Sequence, residues 1–326
     1  MEEKELGIYI HIPFCIRKCY YCDFTSYTNQ FSKVDKYIKK VIEEIHEYKL
    51  NNYNITTIYI GGGTPSSIDS KYIVKVLNEI KSKISNNKTK WENIEITIEL
   101  NPGTVTKNKL LDYKKIGINR LSVGLQSTND EILKTIGRIH NYEDFLNTYK
   151  LINDVGFENY NFDLMIGLPE QRIQDIKKDL NEVLKLKPNH LSVYSLIIEE
   201  DTEIKDFIDD EEWTLPDEET ERQMYWYVKN FLELNGYKHY EISNFAKEGK
   251  ESKHNINCWK QKEYIGIGLS ACSFLNNERY GNENDINEYL ARKRKNTNGE
   301  IKQNWGRKRI YDAWTKNDRW SKDIGI

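Results

Sequence analysis

The chain has 326 residues, a net charge of −3 and 38 % hydrophobic residues, enough apolar content for a core and too little charge bias for general attraction to nucleic acid. Five cysteines, three of them within eight residues, fit a metal site in a reducing, cytoplasmic setting better than a secreted disulfide scaffold. No apolar run approaches the roughly 20 residues of a membrane span, and the acidic start MEEKELGIYIHI lacks a signal-peptide core.

In chain order, IYIHI (8–12) reads as a strand because it is β-branched, aromatic and apolar. Residues 33–49 then put Val34, Tyr37, Ile38, Val41, Ile42 and Ile45 on one helical face. TTIYI (56–60) is a second strand that stops at Gly61-Gly62-Gly63, and 70–84 is helical, with Ile73, Leu77, Ile80 and Ile84 in step. IEITIEL (94–100) ends at Asn101-Pro102-Gly103 and is followed by a helix over 107–115. RLSVGLQS (120–127) is a fourth strand, with helical stretches near 128–136 and 141–154. NYNFDLMIG (159–167), a helix over 172–186 and NHLSVYSL (189–196) complete six strand–helix alternations.

Such alternation predicts a parallel sheet with right-handed crossovers. Six units fall short of a closed eight-unit barrel, so an α/β fold built as an open, partial (β/α)6 TIM-like barrel is expected, with its site at the C-terminal strand ends. The pattern changes after residue 200. Residues 201–216 read as acidic and irregular, 217–235 as a helix with Met224, Val228, Phe231 and Leu232 buried and Gly236 as its cap, and KHYEISNFA (238–246) as a short strand region. This predicts three parts: the partial barrel (1–200), a smaller α+β region (201–290) and a polar, basic tail (291–326).

The loop after the first strand, HIPFCIRKCYYCDF, spaces Cys15, Cys19 and Cys22 as C-x3-C-x2-C. A zinc site ordinarily takes four protein ligands. A [4Fe–4S] cluster has four irons, each wanting one outside ligand, so three thiolates leave one iron for a small chelating molecule. Gly61-Gly62-Gly63-Thr64-Pro65 follows the second strand, where glycines open backbone N–H groups to a ligand. Glu99, Gln126 and Asp163 lie in or at the ends of successive strands, with Arg138 between the last two, and converge on the barrel mouth.

The compact cysteine motif resembles that of the radical S-adenosylmethionine (SAM) superfamily. Taken together, YIHIPFC, the cysteine motif ending in Asp23-Phe24, GGGTPS, IELNPG, RLSVGLQS, NFDLMIGLP and His254-Asn255-x3-Trp259 resemble the oxygen-independent coproporphyrinogen III oxidase group, and most of all its heme-chaperone (HemW) branch, from about residue 6 to about residue 290. The resemblance implies a radical SAM partial barrel. It implies a cluster on Cys15, Cys19 and Cys22, and SAM contacts from Tyr9, Tyr21, Gly62, Gly63, Thr64, Glu99, Gln126, Arg138, Asp163 and Ala271. It also implies heme as cargo, bound through His254, Cys258 and Trp259.

The oxidases typically carry a further cysteine two residues after the third; here Phe24 holds that position. The chaperone motif H-N-x-x-Y-W has become His254-Asn255-Ile256-Asn257-Cys258-Trp259, with a cysteine in place of tyrosine. Both histidine and thiolate ligate heme iron. The leading expectation is therefore a cytoplasmic heme chaperone that delivers heme to acceptor hemoproteins. The alternative is a coproporphyrinogen III dehydrogenase that decarboxylates its substrate by radical chemistry. An electron donor such as flavodoxin or ferredoxin belongs to either reading if the cluster is redox-active; nucleic acid belongs to neither, and peripheral membrane contact and oligomeric state stay open. The tail, with Trp305, Trp314 and Trp320, reads poorly as a packed element. A one-nucleotide shift with AT-rich codons turns it into an amphipathic, family-like continuation, which predicts a frameshift between about residues 290 and 308 and a truncated C-terminal region.

Overall fold

A computed structural model describes residues 4–85 and 90–292 and the backbone of Lys308–Arg309. The expected frameshifted tail otherwise lies outside the described residues. The six predicted units are present: β1 (Lys4–Ile12), α1 (Val34–His46), β2 (Tyr53–Gly62), α2 (Ser70–Lys83), β3 (Glu95–Leu100), α3 (Lys107–Ile116), β4 (Arg120–Gln126), α4 (Asp130–Thr135), α5 (Tyr142–Val155), β5 (Tyr160–Ile166), α6 (Ile173–Lys185) and β6 (His190–Ser195). The rest of the chain supplies α7 (Glu203–Asp209), α8 (Glu218–Leu234), β7 (Lys238–His239), β8 (Asn244–Ala246), α9 (Lys253–Trp259), β9 (Tyr264–Ile267), β10 (Cys272–Leu275), β11 (Glu278–Gly281), α10 (Ile286–Ala291) and β12 (Lys308–Arg309).

Strands β1 to β6 pair in sequence order, all parallel. The sheet does not close. At one edge β8 and then β7 add antiparallel beyond β6. At the other, β9 joins β1 in parallel, followed by antiparallel β10, β11 and β12. The segment after residue 200 thus extends both edges of the first unit's sheet.

The core lies between the outer face of the strands and the helices. Ile58, Ile60, Ile96, Ile98, Leu121 and Val123 from the sheet share one cluster with Tyr37, Val41 and Ile45 of α1, Leu77 and Ile80 of α2, and Met224, Val228 and Leu232 of α8. Ile42 and Phe231, expected among the buried residues, are only half-buried against this cluster. One local difference from the sequence expectation, and one element the sequence left unassigned, have physical causes. The 201–216 stretch contains α7 because buried Ile204 and the aromatic trio Phe207, Trp213 and Tyr20 anchor it to the cysteine loop, with ring centroids 4.3 to 6.0 Å apart. HNINCW is a helix because Ser252 caps it, its side chain accepting from the N–H of Asn255.

The inner face of the sheet is polar, unlike the continuous apolar runs usual in parallel strands. Thr57, Thr97, Arg120, Ser122, Asn161, His190 and Ser192 are all buried. Alternation along each strand points them into the lumen while their neighbours build the core.

Candidate functional site

At the C-terminal ends of the strands the lumen opens into a cavity of about 430 Å³. Cys15, Cys19 and Cys22 all line it, on the loop that leaves β1. Backbone bonds fix that loop: Cys15 N–H donates to Tyr27 O (3.0 Å), Cys22 N–H to Cys19 O (3.1 Å) and Tyr20 N–H to Ile136 O (3.2 Å). Cys15 Sγ lies 3.4 Å from Thr64 Oγ1, and Arg138 Nη1 lies 3.4 Å from Cys19 Sγ. Burial pushes the Cys15 thiol up and the Cys22 thiol to about 12, so a cation is needed to hold either as thiolate near neutral pH. Among the described residues no group of three or more His, Cys, Asp or Glu is gathered to hold a single metal ion. A cluster in which each thiolate meets its own iron does not require that gathering.

The glycine run is shaped by its neighbours. Gly62 has φ +110°, and a Cβ there would fall 2.5 Å from the His11 ring; one at Gly63 would fall 3.0 Å from Ile12 O and Phe14 N. His11 is itself a brace: Tyr9 OH lies 3.0 Å from its Nδ1, and its Nε2 lies 2.9 Å from Thr25 O. Glu99 accepts from Tyr59 OH (3.0 Å) and from Gly62 N–H (3.2 Å). Burial raises its carboxyl to about 8, against those two bonds and with a further push from Asp163. Asp163 accepts from Asn161 Nδ2 (2.5 Å), and burial raises it to about 6. Gln126 closes β4 with φ +71°, beside a register shift against β5. A side chain other than glycine in that conformation costs about 1 kcal/mol or more and is a frequent mark of a working site.

Of the residues expected to hold SAM, Tyr21, Gly62, Gly63, Thr64, Glu99, Gln126, Arg138 and Asp163 line the cavity together with the cysteines. Tyr9 and Ala271 are not brought to it; they are buried in a small cluster with Tyr59. Sequence reasoning passed over Tyr59, Asn101, Ser122 and Tyr194, which also line the wall. Asn101 ties Arg138 (Nη2 to Oδ1, 2.9 Å) to Thr64 (Nδ2 to Oγ1, 2.8 Å). Its position two residues after Glu99 was the available signal.

His254, Cys258 and Trp259 are not at the cavity. They lie on α9, which packs against β2. His254 is 1 % exposed, its Nδ1 2.8 Å from Thr57 Oγ1, while its N–H donates to Glu95 Oε1 (3.1 Å). Burial, with Arg120 adding, lowers its pKa to about 3, leaving a neutral imidazole. Cys258 is buried, its thiol pushed up to about 12. Trp259 is half-buried, 6.0 Å from the Tyr240 ring. Tyr59 separates the two places: its hydroxyl bonds Glu99 in the cavity wall and its ring lies 5.3 Å from that of His254. A second connection runs from Ser252 N–H to Tyr240 (3.2 Å), Tyr240 to His190 Nε2 (2.7 Å), His190 Nδ1 to Asn161 (2.6 Å) and Asn161 to Asp163.

Three sulfurs, a glycine cradle and two half-buried carboxylates on one cavity suit an iron–sulfur cluster beside a ligand rich in hydrogen-bond donors. The comparisons agree. The radical SAM superfamily profile matches residues 9–183. The heme chaperone HemW of Bacillus subtilis is 37 % identical over 284 residues, covering 86 % of this chain and 74 % of its own length. HemW of Lactococcus lactis is 37 % identical over 290 residues, covering 89 % of this chain and 75 % of its own length. The solved coproporphyrinogen III oxidase (HemN) of Escherichia coli shares the fold, with a TM-score of 0.75 at 24 % identity over 88 % of this chain and 69 % of that one. The chain therefore belongs to the radical SAM superfamily and, within it, to the HemW family, membership that implies a [4Fe–4S] cluster and SAM.

Proposed function

We propose that this chain is a heme carrier that holds its cluster through Cys15, Cys19 and Cys22, and SAM through Gly62, Gly63, Thr64, Glu99, Gln126, Arg138 and Asp163. The cluster, when bound, supplies an iron with an open position and one-electron chemistry. The residues of the chain do the positioning. Arg138 braces Cys19, Thr64 braces Cys15, and Glu99 and Asp163 accept from the ligand's hydroxyl or amine groups. The observation that carries the choice of carrier over porphyrinogen decarboxylase is Phe24. It lines the cavity at the position where the oxidases typically have a further cysteine.

Heme is read as cargo on α9, whose neutral His254 is in the form that ligates iron. Because His254 is buried, binding requires α9 to move out. All five cysteines are free, consistent with a reducing, cytoplasmic compartment. Among the described residues no helix is long and apolar enough to cross a membrane. Acceptor hemoproteins, and an electron donor of the flavodoxin or ferredoxin kind, are the expected partners.

The heme reading is tested by titrating hemin into the wild type and His254→Ala and following the Soret band. Loss of one axial ligand is expected to weaken binding about tenfold or more. Binding that persists unchanged removes His254 from the site. The SAM reading makes a pH prediction. Glu99 titrates at about 8, so below that its carboxyl is mostly neutral and a cationic ligand must drive off its proton. Affinity for SAM is expected to fall as pH drops from about 7.5 to about 6, by up to about tenfold per unit, with Glu99→Gln binding more weakly and without that slope. A flat profile in both proteins, measured by calorimetry, removes Glu99 from the contact.

A further inference from the structure

Behind the cavity floor the lumen holds a buried cation. Arg120, the first residue of β4, is 2 % exposed, and its Nε meets no acceptor. Among the described residues no carboxylate comes within ion-pair distance of it. Alternation puts it on the same face as Ser122 and Gly124, which line the cavity, so its side chain projects into the lumen one layer below them. Its charge is felt both by His254, His190, Glu95 and Tyr240 towards α9 and by Asp163 and Tyr59 in the cavity wall, as a position in the lumen between the two requires. Glu95 and Asp163 are the carboxylates its charge reaches, but neither forms an ion pair with it, and Glu95 Oε1 accepts the N–H of His254.

Two further buried groups lack partners, one at this level and one on α9. Thr97 Oγ1, in register with Arg120 across β3 and β4, is buried without a hydrogen bond, and so is Asn255 Oδ1, beside His254 on α9. A buried guanidinium with no paired anion is costly, as are orphaned hydroxyl and amide groups, and native proteins rarely leave several together unless something else satisfies them. The two histidines of the compartment, His254 and His190, are held neutral by burial and by Arg120, so Arg120 is the cation there. α9 is a short cover, tethered by Ser252 N–H to Tyr240, His254 to Thr57 and Glu95, and Asn257 to Thr56 (3.4 Å). The loop before it turns at Gly249, with φ +72° and open space around the Cα.

We propose that Arg120 anchors a carboxylate of the cargo, a propionate of an iron porphyrin, in the compartment exposed when α9 swings away, with His254 ligating the iron. The proposal rests on the heme-carrier reading and adds to it a second binding residue, on the barrel wall. A guanidinium and a carboxylate form a charge-assisted, bidentate pair, and burial strengthens it. The pairing also gives α9 release a compensation, because the carboxylate supplies Arg120 with a direct ion pair that the closed state lacks.

The test compares hemin with hemin dimethyl ester, in which both propionates are blocked, on the full chain with its cluster reconstituted. The wild type is expected to prefer hemin by about tenfold or more, and Arg120→Gln to bring the two affinities within about twofold of each other, with Arg120→Lys in between. Equal affinity of the wild type for the two porphyrins overturns the proposal and assigns the unpartnered groups to buried water. A preference for hemin that survives in a folded Arg120→Gln overturns it as well. The wild-type comparison needs no variant, so a misfolded Arg120→Gln leaves the test intact. Failure of the wild type to bind either porphyrin overturns the heme-carrier reading along with it, whereas binding without preference removes Arg120 alone.

Discussion

Cys19→Ala is expected to abolish the brown chromophore of the reconstituted protein and bring its iron content to background. Three thiols are the minimum that leaves one iron of a four-iron cluster open, so removing one leaves two irons without a protein ligand. No replacement is within reach: Cys258 and Cys272 lie on α9 and β10, and neither lines the cavity. The matched controls Cys258→Ala and Cys272→Ala are therefore expected to keep their iron. The loop survives the substitution because backbone bonds from Cys15, Tyr20 and Cys22 hold it, so the thermal midpoint of the cluster-free protein checks that the fold is intact. Unchanged iron in Cys19→Ala refutes the assignment.

Glu44→Ala is expected to cost about 3 kcal/mol or more of folding stability, read as a lowered denaturant midpoint at unchanged slope. Glu44 is fully buried on the inner face of α1. It accepts from Gly268 N–H (2.9 Å), Asn282 Nδ2 (2.9 Å) and Tyr289 OH (2.7 Å), and pairs with Arg292 at 3.4 Å. Alanine leaves three donors without that acceptor and takes one carboxylate from Arg292, which keeps Glu47 and Glu283. The consequence reaches the site: Tyr37 of α1 donates to His11 O and accepts Leu269 N–H, so α1, the end of β1 and the turn after β9 form one bonded assembly. A loss below about 1 kcal/mol would show that water replaces the carboxylate freely.

Glu44 also shows what a single sequence conceals. The apolar spacing of Val34, Tyr37, Ile38, Val41 and Ile45 was enough to place α1 and its buried face. A glutamate on that same face reads as solvent-facing until the chain more than 220 residues later supplies its donors. The six parallel units were legible because each is local: a β-branched run, a glycine or asparagine stop, an amphipathic helix. The parallel pairing of β9 with β1, and the antiparallel pairing of β8 with β6 at the far edge, were not, since nothing in a strand of three or four residues names its neighbour.

The site divides the same way. Cys15, Cys19, Cys22 and the glycine run are dense local signals and lie together on the cavity as expected. Tyr59, Ser122 and Tyr194 carry no local signal, and only the inward register of strands read as apolar brings them to the wall. Tyr9 matched a family pattern yet spends its hydroxyl on His11. His254 was legible as part of a motif, but its burial beside Thr57, on the far side of Tyr59 from the cavity, was not.

On the proposed function, this radical SAM cavity serves a heme carrier and not a porphyrinogen decarboxylase. The most direct measurement incubates the anaerobically reconstituted protein with coproporphyrinogen III, SAM and a strong reductant, quantifies the tetrapyrrole products, and then titrates the same preparation with heme. Unchanged coproporphyrinogen and a saturable Soret shift on adding heme are expected. Stoichiometric formation of protoporphyrinogen would contradict the carrier reading.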